Sequence, residues 1–533
     1  LEGIISIMVV EITELKVYTY EIAELYLAGQ EPNLNNLYVH AVLADGSSLL
    51  LNNEDLLVNV SSTTAGEQAV SVTFKEEYST TFNITFVDSL LTATDNLITV
   101  VVDRDFEGVS GSIVNQITHV KTVKEAINLI EESNLDASVI KEIRIKNGVY
   151  FEKLKVNTPN VHMIGESRDG TIIDHNHASS DKNPNGADWG TQGSATVTIG
   201  SGAKGFIASN LTFSNSFKYF ESTIANKQAV ALVNEADQAI YYKVAFKGLQ
   251  DTLYAKNGRQ WYLDVYVEGI VDFIFGNGGP AFFENSEIKT LQREDTNTNA
   301  VIAAPKGVAS NGTTLLEYGY VFYKNRFTTS ENMTTKIDLG RPWGKDAAVA
   351  YIDNAFNEQM SEAGWIDMSG NLAVNARFYE YNNKIGDLVY QSTVGKQLTA
   401  EEAVPYMDKK VVFAKTNGDH TFDSDWNYAA QLQHVAPELV ANVTIEYGNG
   451  QESLVIPVLK GEKVAEQENP TRDNYEFLGW KLGTELYNFN LEVTEDITLV
   501  VSWEEIVLDN PVTVTFKDGE TILEERIIES GSV

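Results

Sequence analysis

Short apolar clusters separated by Gly, Asn and Asp run through the middle of the chain: Ile143-Arg-Ile145, Val161-His-Met-Ile164, Thr171-Ile-Ile173 and Ala195-Thr-Val-Thr-Ile199. Segments this short, bounded by turn residues, predict strands rather than helices. Two stretches then superimpose at an offset of 21 (272 − 251 = 21). Lys243-Val-Ala-Phe246-Lys-Gly248-Leu-Gln-Asp251-Thr-Leu253 lies over Asp264-Val-Tyr-Val267-Glu-Gly269-Ile-Val-Asp272-Phe-Ile274, and Ile288 falls one turn later on the position of Phe246 and Val267. A period near 20 in β-rich sequence predicts a coiled solenoid, here a parallel β-helix. Residues one period apart then stack on adjacent coils, about 4.8 Å apart. Asp251 and Asp272 become neighbouring carboxylates on one face, and Gln228 and Gln250 stack almost as closely (250 − 228 = 22). Two carboxylates and two amides on one wall of a rod form the pattern of an active site.

The flanks carry a different pattern. Residues 9–92 alternate apolar and polar positions between turn signals such as Asp45-Gly46, with Val70-Ser-Val72-Thr-Phe74 a clear period-two strand. This predicts a small β-sandwich. A helix begins at Thr122-x-x-Glu125, a capping box, with Val123, Ala126, Ile127 and Ile130 as its apolar stripe. Placed at the start of the solenoid, it is expected to cap the open end of the coils. In the tail, Val443-Thr-Ile-Glu-Tyr447-x-x-Gly450 recurs as Val512-Thr-Val-Thr-Phe516-x-x-Gly519, and Val464 matches Val533 at the same offset. The expected organisation is therefore a sandwich at 9–92, a β-helix at 97–438, a repeat at 441–505 and a truncated second copy at 509–533.

Composition adds limits. Of the 533 residues, 43% are hydrophobic and 10% aromatic, enough for several folded cores. The formal net charge of −36 disfavours nucleic acid and anionic membrane as partners. It would equally repel an anionic substrate, so one with masked acids suits the chain better. With no cysteine, disulfides, thiol catalysis and Cys-based zinc sites are excluded. No stretch approaches the length of a transmembrane helix. The start, Leu1-Glu-Gly-Ile-Ile-Ser-Ile-Met-Val-Val, lacks a basic region and is not read as a signal peptide; it suits a mature form or a fragment.

Six segments of the middle region carry a family resemblance. Four are specific, Gln228-Ala-Val-Ala-Leu232, Gly248-Leu-Gln250-Asp251-Thr-Leu253-Tyr254, Gly269-Ile-Val-Asp272-Phe-Ile-Phe-Gly276 and Leu339-Gly-Arg341-Pro-Trp343, and Gly364-Trp365 and Arg377-Phe-Tyr-Glu-Tyr381-Asn-Asn383 also follow the pattern. In this order and spacing they resemble the pectin methylesterase (pectinesterase) family, carbohydrate esterase family 8, over most of residues 97–385. The resemblance implies a right-handed parallel β-helix that hydrolyses C6 methyl esters of polygalacturonan to pectate and methanol. It assigns Asp272 as nucleophile and Asp251 as acid/base, with Gln228 and Gln250 as oxyanion donors. Arg341 would hold Asp272 ionised, and a like charge one coil away would raise Asp251. Trp343 and Trp365, with Tyr254 and Phe273, are candidates for contact with sugar rings. No metal or cofactor is required. The sandwich resembles bacterial immunoglobulin-like domains, and Asn469-Pro-Thr-Arg-Asp-Asn-Tyr475 with Phe477-Leu-Gly-Trp480 resembles the Listeria–Bacteroides β-grasp repeat. Together these imply a secreted or cell-surface bacterial protein whose flanks display or tether it; a catalytic monomer is expected because a solenoid with capped ends has no obligatory partner surface.

Other readings compete. Val233 stands where the family usually has a basic residue, and Leu249 where it usually has an aromatic one. Both leave room for a non-pectin ester. A pectate lyase or polygalacturonase on the same fold would not explain two stacked glutamines beside two aspartates. A β-helical adhesin would give no reason for polar residues to converge on one wall. Asp174-His175-Asn176-His177 invites a metal reading but specifies no third ligand, and Asp423-Ser-Asp425 reads as a solvated loop rather than a calcium site. No G-x-S-x-G motif is present, so a serine hydrolase is unsupported.

Overall fold

The structure, a computed structural model, describes residues 11–93, 95–277, 279–295, 297–308, 317–414, 426–506 and 511–529. The chain start (residues 1–10), Asp423-Ser-Asp425 and Val533 lie outside these residues. The chain divides into two units, 1–424 and 425–533.

The middle of the first unit coils into three largely parallel sheets of 13, 10 and 7 strands, a parallel β-helix. One coil is formed by Gln260–Leu263, Tyr266–Gly269 and Val271–Gly276, one strand in each sheet. The register is the 21-residue offset: Phe246 pairs with Val267, Val267 with Ile288, and Leu253 with Ile274. Inside, Tyr241, Tyr262, Phe283, Phe322 and Tyr351 stack ring on ring at 4.9, 4.4, 4.7 and 4.6 Å, one per coil. Such stacks bury large apolar area at the spacing the backbone dictates. Asparagines close one corner. The Ser286 amide donates to Asn325, that of Asn325 to Asn354, and that of Asn354 to Asn383. This ladder satisfies backbone groups that the turn leaves without sheet partners.

The helix Val123–Glu132 forms with both halves of its capping box made. Its stripe, with Leu129 added, enters the main core at the first coils. Its Glu125 also accepts from Thr85 (2.6 Å) in the N-terminal module. That module packs a three-stranded sheet (Ile12–Tyr18, Tyr38–Leu43, Ser48–Leu50) against a four-stranded one (Leu25–Leu27, Leu56–Val60, Gly66–Phe74, Tyr78–Val87) around Leu15, Val39, Val72 and Phe74. Leu25 and Val87 of the module also belong to the main core, so it is packed onto the β-helix. At the far end, Ala403 of the helix Ala400–Met407 packs on the outward faces of Ala350 and Ile352.

In the second unit a five-stranded sheet pairs Val440–Glu446 in parallel with Ile497–Glu505. Its core holds Val443, Ile445, Trp480 and Leu499. The helix Tyr428–Gln433, assigned by sequence to the β-helix region, belongs to this unit; Tyr428 donates its hydroxyl to Glu462. The second repeat shows the hairpin Pro511–Asp518 with Thr521–Glu529.

Candidate active site

The seven-stranded sheet carries the site, because its strands begin at the tight corner after the second sheet. Asp251 (φ 62°) and Asp272 (φ 50°) occupy that corner on successive coils, both in the left-handed region. Aspartate tolerates this conformation better than bulkier residues, at a cost of roughly 1–3 kcal/mol each. The corner also needs a glycine. A Cβ on Gly269 would lie 2.2 Å from Phe273 Cβ and 2.7 Å from the Leu249 carbonyl. Pairing slips between Val271, opposite Val301, and Ile274, opposite Ala303. The extra residue is a β-bulge, a common device for re-aiming side chains beside a site. It turns Phe273 into the main core, where it is fully buried, while Asp272 lines the cleft.

Arg341 follows the strand Ile337–Gly340 and reaches back to Asp272. Its Nε donates to Oδ1 at 2.7 Å and its Nη2 to Oδ2 at 2.5 Å, a bidentate, charge-assisted pair. Asp251 lies on the adjacent coil, its amide donating to the Val271 carbonyl at 3.2 Å. Burial pushes its carboxyl well above the usual range, and the negative charge of Asp272 adds to this; Arg341 and a hydrogen bond from Gln250 oppose it. Sequence reasoning ascribed the rise to the like charge, but withdrawal from water is the larger cause.

These groups share a cleft of about 290 Å³ with Gln228, Gln250, Tyr254 and Trp343. Gln228 keeps Oε1 buried without a hydrogen-bond partner. Gln250 bridges to Val271 on the next coil, next to both carboxylates. An apolar ledge faces the polar wall. Tyr254 stacks on Phe275 at 4.2 Å, and Trp343 meets both rings at 6.4 and 6.0 Å with the Lys306 ammonium 3.9 Å from its centroid.

Two expected sugar contacts lie elsewhere. Phe273 is buried by the bulge, as described. Trp365 is 2% exposed, stacked on Phe378 at 4.0 Å, and donates Nε1–H to Glu380 at 2.8 Å. It is a core residue, so Trp365→Ala should cost about 3–5 kcal/mol of stability through the cavity and the orphaned carboxylate. Chemical denaturation would measure this. Thr191, Gln192, Phe275 and Met368 also line the cleft and were not singled out by sequence. Phe275 was findable, since it sits one period after Tyr254 (275 − 254 = 21).

The altered positions have distinct settings. Val233 pairs with Tyr254 on the next coil and extends the apolar ledge. Leu249 packs instead near Tyr219, Ile270 and Val301, beside a neighbouring groove. His175 and His177 pack ring to ring at 4.4 Å. Among the described residues no group of three or more His, Asp or Glu is placed to hold a metal.

Fold and cleft together define a parallel β-helix protein whose site combines a carboxylate pair, two amides and one guanidinium. The pectinesterase family model matches residues 113–406, more than half of the chain. The chain belongs to the pectinesterase family. A Listeria-Bacteroides repeat domain matches residues 442–500, and a bacterial Ig-like domain (group 3) matches 23–86. Pectinesterase A of Dickeya dadantii is 34% identical over 307 residues, covering 51% of this chain and 81% of that protein. A probable pectinesterase/pectinesterase inhibitor of Arabidopsis thaliana is 32% identical over 269 residues, 49% of this chain. The chain spans 48% of that plant protein, about half its length. Among solved structures, pectin methylesterase PemA from Erwinia chrysanthemi aligns with a TM-score of 0.50 and 29% identity, over 62% of this chain and 99% of PemA. Pectin methylesterase from carrot aligns at 0.50 and 25%, over 61% and 95%.

Proposed function

We propose that the protein is a pectin methylesterase, hydrolysing C6 methyl esters of polygalacturonan to free acid and methanol. The observation that carries this reading is the bidentate Arg341–Asp272 pair with the buried Asp251 on the next coil and two glutamines in the same cleft.

Asp272, as the carboxylate of that pair, attacks the ester carbonyl carbon. The carbonyl oxygen takes the negative charge and is met by side-chain N–H groups of Gln250 and Gln228. As the tetrahedral centre collapses, the C–O bond to methoxide breaks and Asp251 supplies the proton, releasing methanol. Asp251, now a carboxylate, takes a proton from water as that water attacks the acyl–Asp272 anhydride. The C–O bond to Asp272 breaks, giving galacturonic acid and restoring both aspartates. No external redox partner enters. Tyr254, Phe275 and Trp343 supply apolar faces for the sugar chain, which suits a substrate whose acids are masked as esters. Trp365 and Phe273 take no part.

Removing one oxyanion donor with Gln250→Ala should lower kcat about 100- to 1,000-fold and leave KM nearly unchanged. Initial rates across substrate concentration would separate the two.

The flanking modules suit an extracellular bacterial enzyme acting as a monomer, with the C-terminal repeats as a display or tethering region. Among the described residues no helix is long and apolar enough to cross a membrane.

The test is acid release from highly methylated pectin in a pH-stat, with methanol and unsaturated-product absorbance followed together. Equal acid and methanol without an absorbance rise supports the esterase. Rising absorbance without methanol would replace it with a lyase. No product of either kind would turn attention to a non-pectin ester, through the Val233 and Leu249 surroundings.

A further inference from the structure

One wall of the cleft does not come from the stacked coils. Thr191 and Gln192 stand on a short helix, Gly190–Gly193, that ends a loop starting near residue 178. The loop is exposed at Asn185–Asp188, whereas Ala178 and Ser179 at its start are buried. Pro184, beside the exposed stretch, is buried as well. The N-terminal Ig-like module covers it: His40 donates its Nε2–H to the Pro184 carbonyl at 2.5 Å, while its Nδ1 lies 3.2 Å from the Ser48 hydroxyl.

A second contact lies near the C-terminal end of the loop. The Tyr20 ring packs edge-on against Trp189 at 5.8 Å, and against His175 and His177 at 5.8 and 6.1 Å. Trp189 is the residue immediately before Gly190-Thr191-Gln192. Tyr20 is itself held firmly. Lys124 of the capping helix donates to the Thr19 carbonyl at 2.6 Å and to Glu24 at 3.1 Å, and the Glu24 amide donates to Asn128 at 2.9 Å. The path runs from the capping helix on the β-helix, through Tyr20, to the residue that immediately precedes the cleft wall. A mere tether would not need to touch this loop at its middle and again beside Gly190-Thr191-Gln192.

We propose that the Ig-like module is part of the substrate-binding architecture, with Tyr20 and His40 as positioning residues that hold the 178–193 loop, and so Thr191 and Gln192, against the cleft. The effect on turnover rests on the esterase reading of the site; the clamping of the loop does not. Because Thr191 and Gln192 supply neither the nucleophile nor the acid, the clamp acts on binding of the sugar chain more than on bond breaking.

The experiment compares wild type, Tyr20→Ala, Tyr20→Phe and His40→Ala in the full chain by hydrogen-exchange mass spectrometry and by steady-state kinetics on methylated pectin. Tyr20→Ala is expected to speed exchange over 178–193 by about tenfold or more with other coils unchanged. It should also raise KM about 5- to 10-fold with kcat within about twofold. Tyr20→Phe keeps the ring and should behave as wild type. Should Tyr20→Ala fail to fold, His40→Ala, which removes one hydrogen bond to the loop at Pro184, supplies the same two readouts. Exchange over 178–193 that is unchanged, or that rises uniformly along the chain, overturns the proposal. So does a fall in kcat matching that in stability with KM constant. A wild type that releases no methanol would sink the esterase reading alone, and the exchange pattern would still decide whether the module clamps the loop.

Discussion

Asp272→Asn is expected to lose about 10,000-fold or more in kcat, since the amide cannot form the acyl-anhydride and any residual rate would come from binding and oxyanion donors alone. The substitution is nearly isosteric and leaves the bulge and the left-handed corner intact, so the fold and pectin binding should persist. The measurement is methanol release under excess substrate, paired with a pectin-binding isotherm. Binding retained with turnover lost marks a nucleophile. Turnover within about tenfold of wild type would remove Asp272 from that role, because loss of a nucleophile does not leave so small an effect. An adhesin would show neither turnover in the wild type nor any change in the variant.

Asp251→Asn should cost about 100- to 10,000-fold in kcat, the usual range for a positioned acid or base, and should make the protein more stable at neutral pH. The second effect follows from sign. Burial raises the folded-state carboxyl of Asp251 well above its ordinary value. The folded state therefore holds the proton more tightly than the unfolded chain. The stability linked to that proton is fully present below the unfolded pKa and is lost as pH rises through the folded one. Asparagine has no such loss, so its stability advantage should appear across that window and persist above it. Thermal unfolding of both proteins over a pH series would show the curves converging in acid. In the rate profile, wild-type activity should fall as Asp251 deprotonates, because the first half-reaction needs the acid; the variant should lack that limb. Equal stability of the two proteins at neutral pH would contradict burial of the charge as the cause.

The two substitutions share a cause legible in the sequence. The 21-residue offset places Asp251 and Asp272 on successive coils, and the structure pairs Leu253 with Ile274 at that offset. A solenoid turns sequence period directly into spatial neighbourhood, which is why a repeat alone could bring the carboxylates together. The capping box at Thr122 was equally readable, because its hydrogen bonds are local. Trp365 was misread for the complementary reason. A motif names a tryptophan but not the direction of its ring, and here Phe378 and Glu380, from a strand beginning twelve residues later (377 − 365 = 12), draw it inward. Phe273 was misread because adjacency to Asp272 in a motif does not give the direction of a ring, and on this bulged strand the ring faces the core while Asp272 faces the cleft.

What the amino-acid order determined, then, is everything that depends on period or local chemistry: coil length, the stacked carboxylates and amides, the helix cap and the modular flanks. Tertiary structure alone decided the rest. It set the bidentate geometry by which Arg341 meets Asp272 across 69 residues, set burial above like charge as the cause of the raised Asp251, and built the Thr191–Gln192 wall with Tyr20 and His40 of another module behind it. These depend on which surfaces exclude water and which distant segments meet, and neither leaves a periodic trace in the chain.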